Sequence, residues 1–261
     1  MALLMDTPLL KVSDLSVRFG GIVALAQVSL QVEAGCVYSI IGPNGAGKTT
    51  LFNCISGIYP TRSGSVAFEG REILGMKAHK ISQIGIARAF QNIELFRGMT
   101  VLDNLLSARG HLLDYGLLSA AWFWGRCKRH EVECRDKAED VIEFLDLQKY
   151  RKTPVGALSY GVQKRVELGR ALTMDPKLML IDEPVSGMNL EETEDMARYI
   201  LDINEEMSIT VLLIEHDMGV VMDLSDRVAV LNFGVKIAEG TPAEIARNRD
   251  VINAYLGETG N

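Results

Sequence analysis

The sequence has no apolar run approaching the ~20 residues that a membrane-spanning helix requires. Residues 1–11 also lack the basic stretch followed by an apolar stretch that marks a secretory leader. If the protein works at a membrane, other chains are expected to hold it there. Basic residues are outnumbered, 27 Lys and Arg against 34 Asp and Glu, for a formal net charge of -7. That balance speaks against the clustered basic surface of a sequence-independent grip on nucleic acid, so no nucleic acid is expected as a partner. Only four cysteines occur, Cys36, Cys54, Cys127 and Cys134, and none forms a Cys-x-x-Cys pair. Neither a zinc site nor a disulfide framework is signalled, and reduced thiols in a cytosolic chain are the plainer reading. Internal repeats and low-complexity tracts are missing too. What remains, 261 residues with 48% hydrophobic content, suits one large α/β domain with an inserted lobe.

Along the chain, residues 15–19 and 28–32 read as antiparallel strands, with Gly20-Gly21 as a turn between them. Residues 37–41 form a short apolar run of the kind buried on both faces of a parallel sheet, and residues 51–56 read as the helix that follows. Residues 65–68 and 71–74 flank Glu69-Gly70 as a hairpin, and residues 81–89 lead to Phe90-Gln91-Asn92. Between residues 101 and 150 the pattern turns helical, as in Val101, Leu102, Leu105 and Leu106 and again in Val141, Ile142 and Leu145. Three further buried-strand candidates, residues 178–181, 211–214 and 228–231, are separated by stretches of helix length, as a parallel βαβ architecture requires.

The chemistry starts between the strand at 37–41 and its helix. Gly42, Pro43, Asn44, Gly45, Ala46, Gly47, Lys48, Thr49 and Thr50 contain the pattern G-x-x-x-x-G-K-[ST] in its meaningful context of strand, loop and helix. Glycines let the backbone N–H groups and the helix N-terminus approach phosphate, the Lys48 ammonium reaches the terminal phosphates of ATP, and Thr49 offers a hydroxyl to magnesium. One such loop implies one ATPase unit.

Asp182 and Glu183 follow the apolar run 178–181, which sets two carboxylates at the carboxyl end of a buried strand, where open α/β sheets bind ligands. Asp182 is expected to partner magnesium beside Thr49, and Glu183 to orient and activate the attacking water. A solvated acidic turn before Pro184 is a credible account only when the pair is taken in isolation. His216 ends the run 211–214, so the sheet is expected to carry it to the same edge, where a neutral imidazole senses the γ-phosphate. A lone histidine is more often structural.

A third element, Leu158-Ser159-Tyr160-Gly161-Val162-Gln163, stands ahead of a helical pattern. Ser159 is a good N-cap residue, and the helix start offers a hydroxyl, backbone N–H groups and a positive dipole end to a second anion. With this element in place the sequence resembles the ABC transporter ATPase family, from residue 9 to the end of the chain. That resemblance implies an α/β fold, a P-loop NTPase (RecA-like) sheet core with an N-terminal antiparallel β portion and an inserted helical lobe. It also implies that Ser159 and Gly161 close over the ATP on a partner's P-loop, so that two subunits sandwich two nucleotides. Phe19 matches the aromatic that stacks on adenine, although beside a turn it also reads as a core residue. Gln91 matches the glutamine that links magnesium to the helical lobe, and His216 the switch histidine.

The segment departs from the family pattern at Tyr160 and Val162, commonly Gly and Gln, and at Asn189, where many members carry Asp. These departures leave room for the two composite sites of a dimer to differ. The same choices, with residues 95–100, 214–218 and 254–258, are closest to the LivG-type ATPase of branched-chain amino acid importers. Such importers imply a LivF-type second ATPase subunit or a second copy, two transmembrane permease subunits, and an extracytoplasmic solute-binding protein acting indirectly. The location implied is peripheral, on the cytoplasmic face of the inner membrane. Related systems carrying urea, amides or aromatic acids stay open at this point.

As one ABC ATPase domain over residues 1–261, the chain divides into residues 1–100, the antiparallel β portion and first part of the core, and residues 101–165, the helical lobe. The core resumes over 166–235, and 236–261 is a C-terminal segment. A soluble ABC ATPase of DNA repair or translation would usually bring two units or a long coiled coil, and a P-loop metabolite kinase would lack the Ser159-Tyr160-Gly161 element. Residues 120–125, rich in aromatics and followed by Arg126, Lys128 and Arg129, read either as a membrane or permease contact or as packing inside the lobe.

Overall fold

The computed structural model describes residues 8–61, 63–89, 93–112 and 126–256. β1 (Leu10–Phe19) and β2 (Ile22–Val32) pair antiparallel about the Gly20-Gly21 turn, and their buried positions alternate as one half-buried face requires. β4 (Ser65–Phe68) and β5 (Arg71–Glu72) extend this sheet to the order β2-β1-β4-β5. β5 is shorter than the hydropathy suggests. The Glu72 carboxylate accepts from Val66 N at 3.0 Å and from Leu74 N at 2.9 Å, which turns the chain out of the ladder.

The second sheet has the order β10-β9-β3-β8-β7-β6. β3 (Val37–Ile41), β6 (Ile86–Ala89), β7 (Leu178–Asp182), β8 (Thr210–Ile214) and β9 (Arg227–Asn232) are parallel, and β10 (Val235–Gly240) closes one edge as an antiparallel hairpin. β10 escapes the sequence reading because its Lys236 and Glu239 interrupt the apolar pattern of a strand at the sheet edge. Alternate residues feed opposite cores: Val37, Met179, Ile181, Val211 and Leu213 on one face, Tyr38, Ile40, Leu180, Leu212 and Ile214 on the other. This two-sided burial is why the strands read as continuous apolar runs.

Helix α1 (Lys48–Ile55) packs Leu51, Phe52 and Ile55 into the core shared with the antiparallel sheet. Residues 81–89 are not one element: α2 (Ala78–Gln83) ends and β6 begins across Gly85, whose φ is 101°. α3 (Val101–Ala108), α4 (Arg126–Phe144) and α5 (Tyr160–Leu172) make the inserted helical lobe and meet through Val101, Leu105, Ala138, Val141, Leu145 and Val166. Buried Asn104 shapes the approach to the lobe. It accepts from Phe96 N (2.9 Å) and donates to the carbonyls of Phe96 (3.1 Å), Met99 (3.3 Å) and Thr100 (3.0 Å). α6 (Leu190–Met207) and α7 (Met218–Leu224) cover the sheet, and α8 (Pro242–Ala246) and α9 (Arg249–Leu256) follow β10. Among the described residues no helix is long and apolar enough to cross a membrane.

Because β3, β7 and β8 are parallel neighbours, the segments that leave their carboxyl ends emerge on one edge of the sheet. Those segments begin with Gly42, Glu183 and Glu215 respectively. Gln91 and the aromatic stretch 120–125 lie outside the described residues.

Candidate active site

The loop from Gly42 to Gly47 is pinned from two sides. Gly42 has φ 146°, and a β-carbon on it would stand 2.0 Å from Leu231 O of β9, so only glycine lets the loop leave β3 this close to the next strand. Gly47, at φ 100°, occupies the N-cap of α1, with room for a β-carbon denied by Ala24 O at 2.5 Å. The β9–β10 turn ties the loop to β2, since Gly234 N donates to Ala46 O (3.0 Å) and Ala26 N donates to Gly234 O (2.8 Å). Lys48 is only 7% exposed, and its Nζ donates to Gly42 O (2.5 Å) and Pro43 O (3.0 Å), which draws the ammonium across its own loop. Asn44, Gly45 and Thr49 are exposed. The first turn of α1 carries no acidic residue to compete with an anion.

Asp182, 2% exposed, ends β7. Its Oδ2 accepts from Arg88 Nη2 at 2.9 Å, whereas Oδ1 has no hydrogen-bond partner among the described residues. Burial pushes the Asp182 carboxyl up; the Arg88 guanidinium opposes that shift and neighbouring Glu183 adds to it. Arg88 itself sits on β6, and its Nη1 donates to Asn53 Oδ1 (2.6 Å) and Ser56 Oγ (3.2 Å) on and just after α1. One guanidinium therefore joins the phosphate-loop helix to the β7 carboxylate.

Glu183 adopts the left-handed region at φ 51°, sparsely used by residues other than glycine, and its N–H donates to Ile214 O at 2.9 Å. This turn aims two successive carboxylates in different directions. His216, with 57% of its side chain exposed, brings Nδ1 to 3.9 Å from Glu183 Oε1 and 3.6 Å from Glu215 Oε2. Lys48 and Asp182 also stand at this edge, so four of the expected site residues share it.

Ser159 takes the N-cap position of α5 with extended backbone, but its side chain makes no capping hydrogen bond, contrary to the expectation from residue type. Gln163 Nε2 donates to Leu158 O (2.8 Å) at this end instead. Glu192 packs against Gly161 and completes a capping box with Asn189, whose Oδ1 accepts from Glu192 N at 3.0 Å. Asn and Asp serve this cap equally well, which accounts physically for Asn189. Buried Lys164 on α5 lies under the combined field of Glu167, Asp182, Glu183 and Glu215, and its burial lowers its pKa. Arg170, also on α5, donates to Glu94 O and stacks its guanidinium 5.7 Å from the Phe96 ring. Phe19, 46% exposed at the end of β1, is no core residue; it meets Tyr59 edge-on at 5.2 Å.

Sequence reading missed Arg88, Asn104, Lys164 and Glu215. Two of them left a signal: Arg88 is a lone cation inside the apolar strand β6, and Glu215 directly follows the fully buried β8. A charge in such a place is buried only with partners.

Comparison with known proteins gives the family. Residues 25–186 match the ABC transporter family model, and residues 235–260 match that of the branched-chain amino acid ATP-binding cassette transporters. The chain belongs to the ABC transporter ATP-binding family, whose members are ATPases. It is 43% identical to the high-affinity branched-chain amino acid transport ATP-binding protein BraF of Pseudomonas aeruginosa, over 97% of this chain and 100% of that one. It is 40% identical to LivG of Escherichia coli, a protein of the same description, again over 97% and 100%. The crystal structure of the ADP conformation of MJ1267, an ATP-binding cassette of an ABC transporter, superposes with a TM-score of 0.83 at 34% identity, covering 95% of this chain and 98% of that one.

Proposed function

We propose that this chain is the ATP-hydrolysing subunit that energises import of branched-chain amino acids or a related small polar solute. The observation that carries the reading is the gathering of the Gly42–Lys48 loop, the Asp182-Glu183 pair and His216 at one sheet edge, in a chain that matches branched-chain amino acid cassettes along its length. ATP is held by backbone N–H groups of residues 42–50 and by Lys48, with Phe19 against the adenine. Glu183 orients and deprotonates the attacking water, and His216, 3.9 Å from Glu183, contacts the γ-phosphate.

The residues present fit magnesium. Asp182 Oδ1 is buried without a hydrogen-bond partner among the described residues, and hard oxygen donors such as this carboxylate and the Thr49 hydroxyl suit that ion. When bound, the ion neutralises charge on the phosphate oxygens. Gln91 is assigned to the same ion from its sequence context.

Ser159 and Gly161 belong to the opposite half of the machine. Their hydroxyl and N–H groups close over nucleotide on a second ATPase subunit, a LivF-type chain or a second copy. Two permease subunits and, across the membrane, a solute-binding protein complete the importer, with this chain on the cytoplasmic face of the inner membrane. Arg170 gives the closure a route, because it ties α5 to the segment that follows Gln91. The division of residues 1–261 into β portion with first core part, helical lobe from 101 to 165, resumed core and C-terminal segment follows from the same reading.

The test is to tag Glu183→Gln, trap it with ATP in native membranes and identify the co-purifying chains by mass spectrometry. Recovery of permeases and a second ATPase supports an importer; recovery of soluble partners alone sinks it. Uptake of labelled leucine by cells lacking the chain, restored by the native protein and not by Lys48→Ala, decides the solute.

A further inference from the structure

Glu215 is the most deeply buried carboxylate near the site, at 0% exposure, and none of the roles above uses it. It spans two loops that come from different strands. Oε1 accepts from Val185 N at 3.3 Å, two residues beyond Glu183. Oε2 accepts from His216 N at 2.8 Å and from Asp217 N at 3.2 Å. Three backbone donors that no strand ladder satisfies therefore converge on one side chain. Beyond it, the Asp217 side chain caps α7 by accepting from Gly219 N (2.9 Å) and Val220 N (3.2 Å), so the loop carrying His216 is tied at both ends. On the other side, Glu183 N is bound to Ile214 O, the residue before Glu215.

We infer that Glu215 is a positioning residue that locks the turn after β7 to the turn after β8, and thereby sets the distance between the Glu183 carboxylate and the His216 imidazole. The inference rests on the reading of Glu183 and His216 as the pair that acts on water and γ-phosphate. The chemistry requires a carboxylate. Two oxygens, each an acceptor, match three N–H donors, whereas a glutamine of the same shape offers one acceptor oxygen and turns an NH2 group toward N–H groups that need acceptors. At this fully buried position a donor left without its acceptor carries a desolvation cost that movement of one of the two loops relieves.

The test uses Glu215→Gln and Glu215→Asp in the full chain, purified with the subunits that accompany it. A displacement of 1 Å between reacting groups costs about 100-fold in rate, so Glu215→Gln is expected to lower kcat for ATP hydrolysis by about 10- to 100-fold, with KM and fluorescent-nucleotide affinity within about twofold. Vanadate trapping of ADP, which reports the transition-state geometry, falls in parallel. Glu215→Asp, which keeps the charge, recovers part of both signals. In the Glu183→Gln background the Glu215→Gln change adds nothing, because the distance it sets no longer matters.

Unchanged kcat in a folded Glu215→Gln protein overturns the inference, as does an equal loss of nucleotide affinity and turnover, which would mark general loosening. If Glu183→Gln and His216→Ala themselves hydrolyse ATP normally, the parent reading of the site fails first, and the Glu215 inference falls with it.

Discussion

The Arg88–Asp182 contact offers a quantitative test of how the site is held. Both side chains are buried, at 9% and 2% exposure, and their atoms meet at 2.9 Å. Taking two charges out of water is expensive, and their attraction only offsets that cost, but removing one partner leaves the other charge buried alone, at a cost of about 3–5 kcal/mol. Arg88→Met keeps most of the side-chain length and removes the charge. It also takes the donor from Asn53 Oδ1, while Ser56 Oγ keeps its own bond to Phe52 O at 2.8 Å. The expected loss is therefore about 3–5 kcal/mol, a large part of the roughly 5–15 kcal/mol that stabilises a typical domain. Arg88→Met combined with Asp182→Leu removes both charges, and replacement of a whole buried pair is often near neutral, so the double variant should lose clearly less than the single one, with about 1–3 kcal/mol left for the unpaired Asn53 Oδ1. Urea unfolding followed by far-ultraviolet circular dichroism measures all three. If the single variant loses under about 1 kcal/mol, or the double loses as much as the single, the pairing is not what holds this corner of the sheet.

Further expectations follow from the same contacts. Lys48→Ala should abolish nucleotide binding, whereas Glu183→Gln should bind ATP and lose hydrolysis; a Gln variant that turns over normally in a phosphate-release assay removes Glu183 from the base role. Gly42→Ala sets a β-carbon 2.0 Å from Leu231 O, a backbone atom that cannot swing aside, so the variant should lose ATP binding in a fluorescent-nucleotide titration even where circular dichroism shows it folded. Partial burial favours protonation of the Asp175 carboxyl, but hydrogen bonds from Lys137 and Arg109 outweigh it and hold the group below its ordinary 3.8. A depressed carboxyl contributes stability that is complete above its unfolded value and is lost as pH falls through the folded one. Asp175→Asn should accordingly melt below the native chain near neutral pH, and the two melting curves should converge as the pH falls below 3.8 and through the lowered folded value.

The elements of the proposed site were legible because each is local. The glycine-rich loop is one contiguous segment, Asp182 and Glu183 are adjacent, and His216 lies two residues past a strand whose five residues are all buried. The parallel strands announced themselves by unbroken hydrophobicity, and strict alternation between two cores explains why. What failed was local as well. β10 lies at a sheet edge, where charged residues interrupt the pattern, whereas Ser159 takes the N-cap place its residue type suggests, without a side-chain capping bond. Phe19 could be read two ways from sequence, and only its exposure separates a core residue from one open to a ligand.

The residues that hold the site were hidden for the opposite reason. Arg88 meets Asp182 from 94 positions away, and Glu215 meets Val185 from 30. Such pairs exist only after the sheet order β3-β8-β7-β6 has brought their strands together. A lone charge in a buried run is nevertheless a readable demand for a partner, because an unpaired charge there would unfold the strand. The topology then narrows the choice. Arg88 on β6 has β7 as its strand neighbour in the described sheet, and β7 ends in the only carboxylate within its span, Asp182. Glu215 follows β8, between β3 and β7, and the N–H groups it binds lie in its own turn, at His216 and Asp217, and in the turn beyond β7, at Val185. Motif and scaffold are thus two steps of one deduction: local pattern gives the strands, strand order gives the neighbours, and the buried charges must find their partners among them.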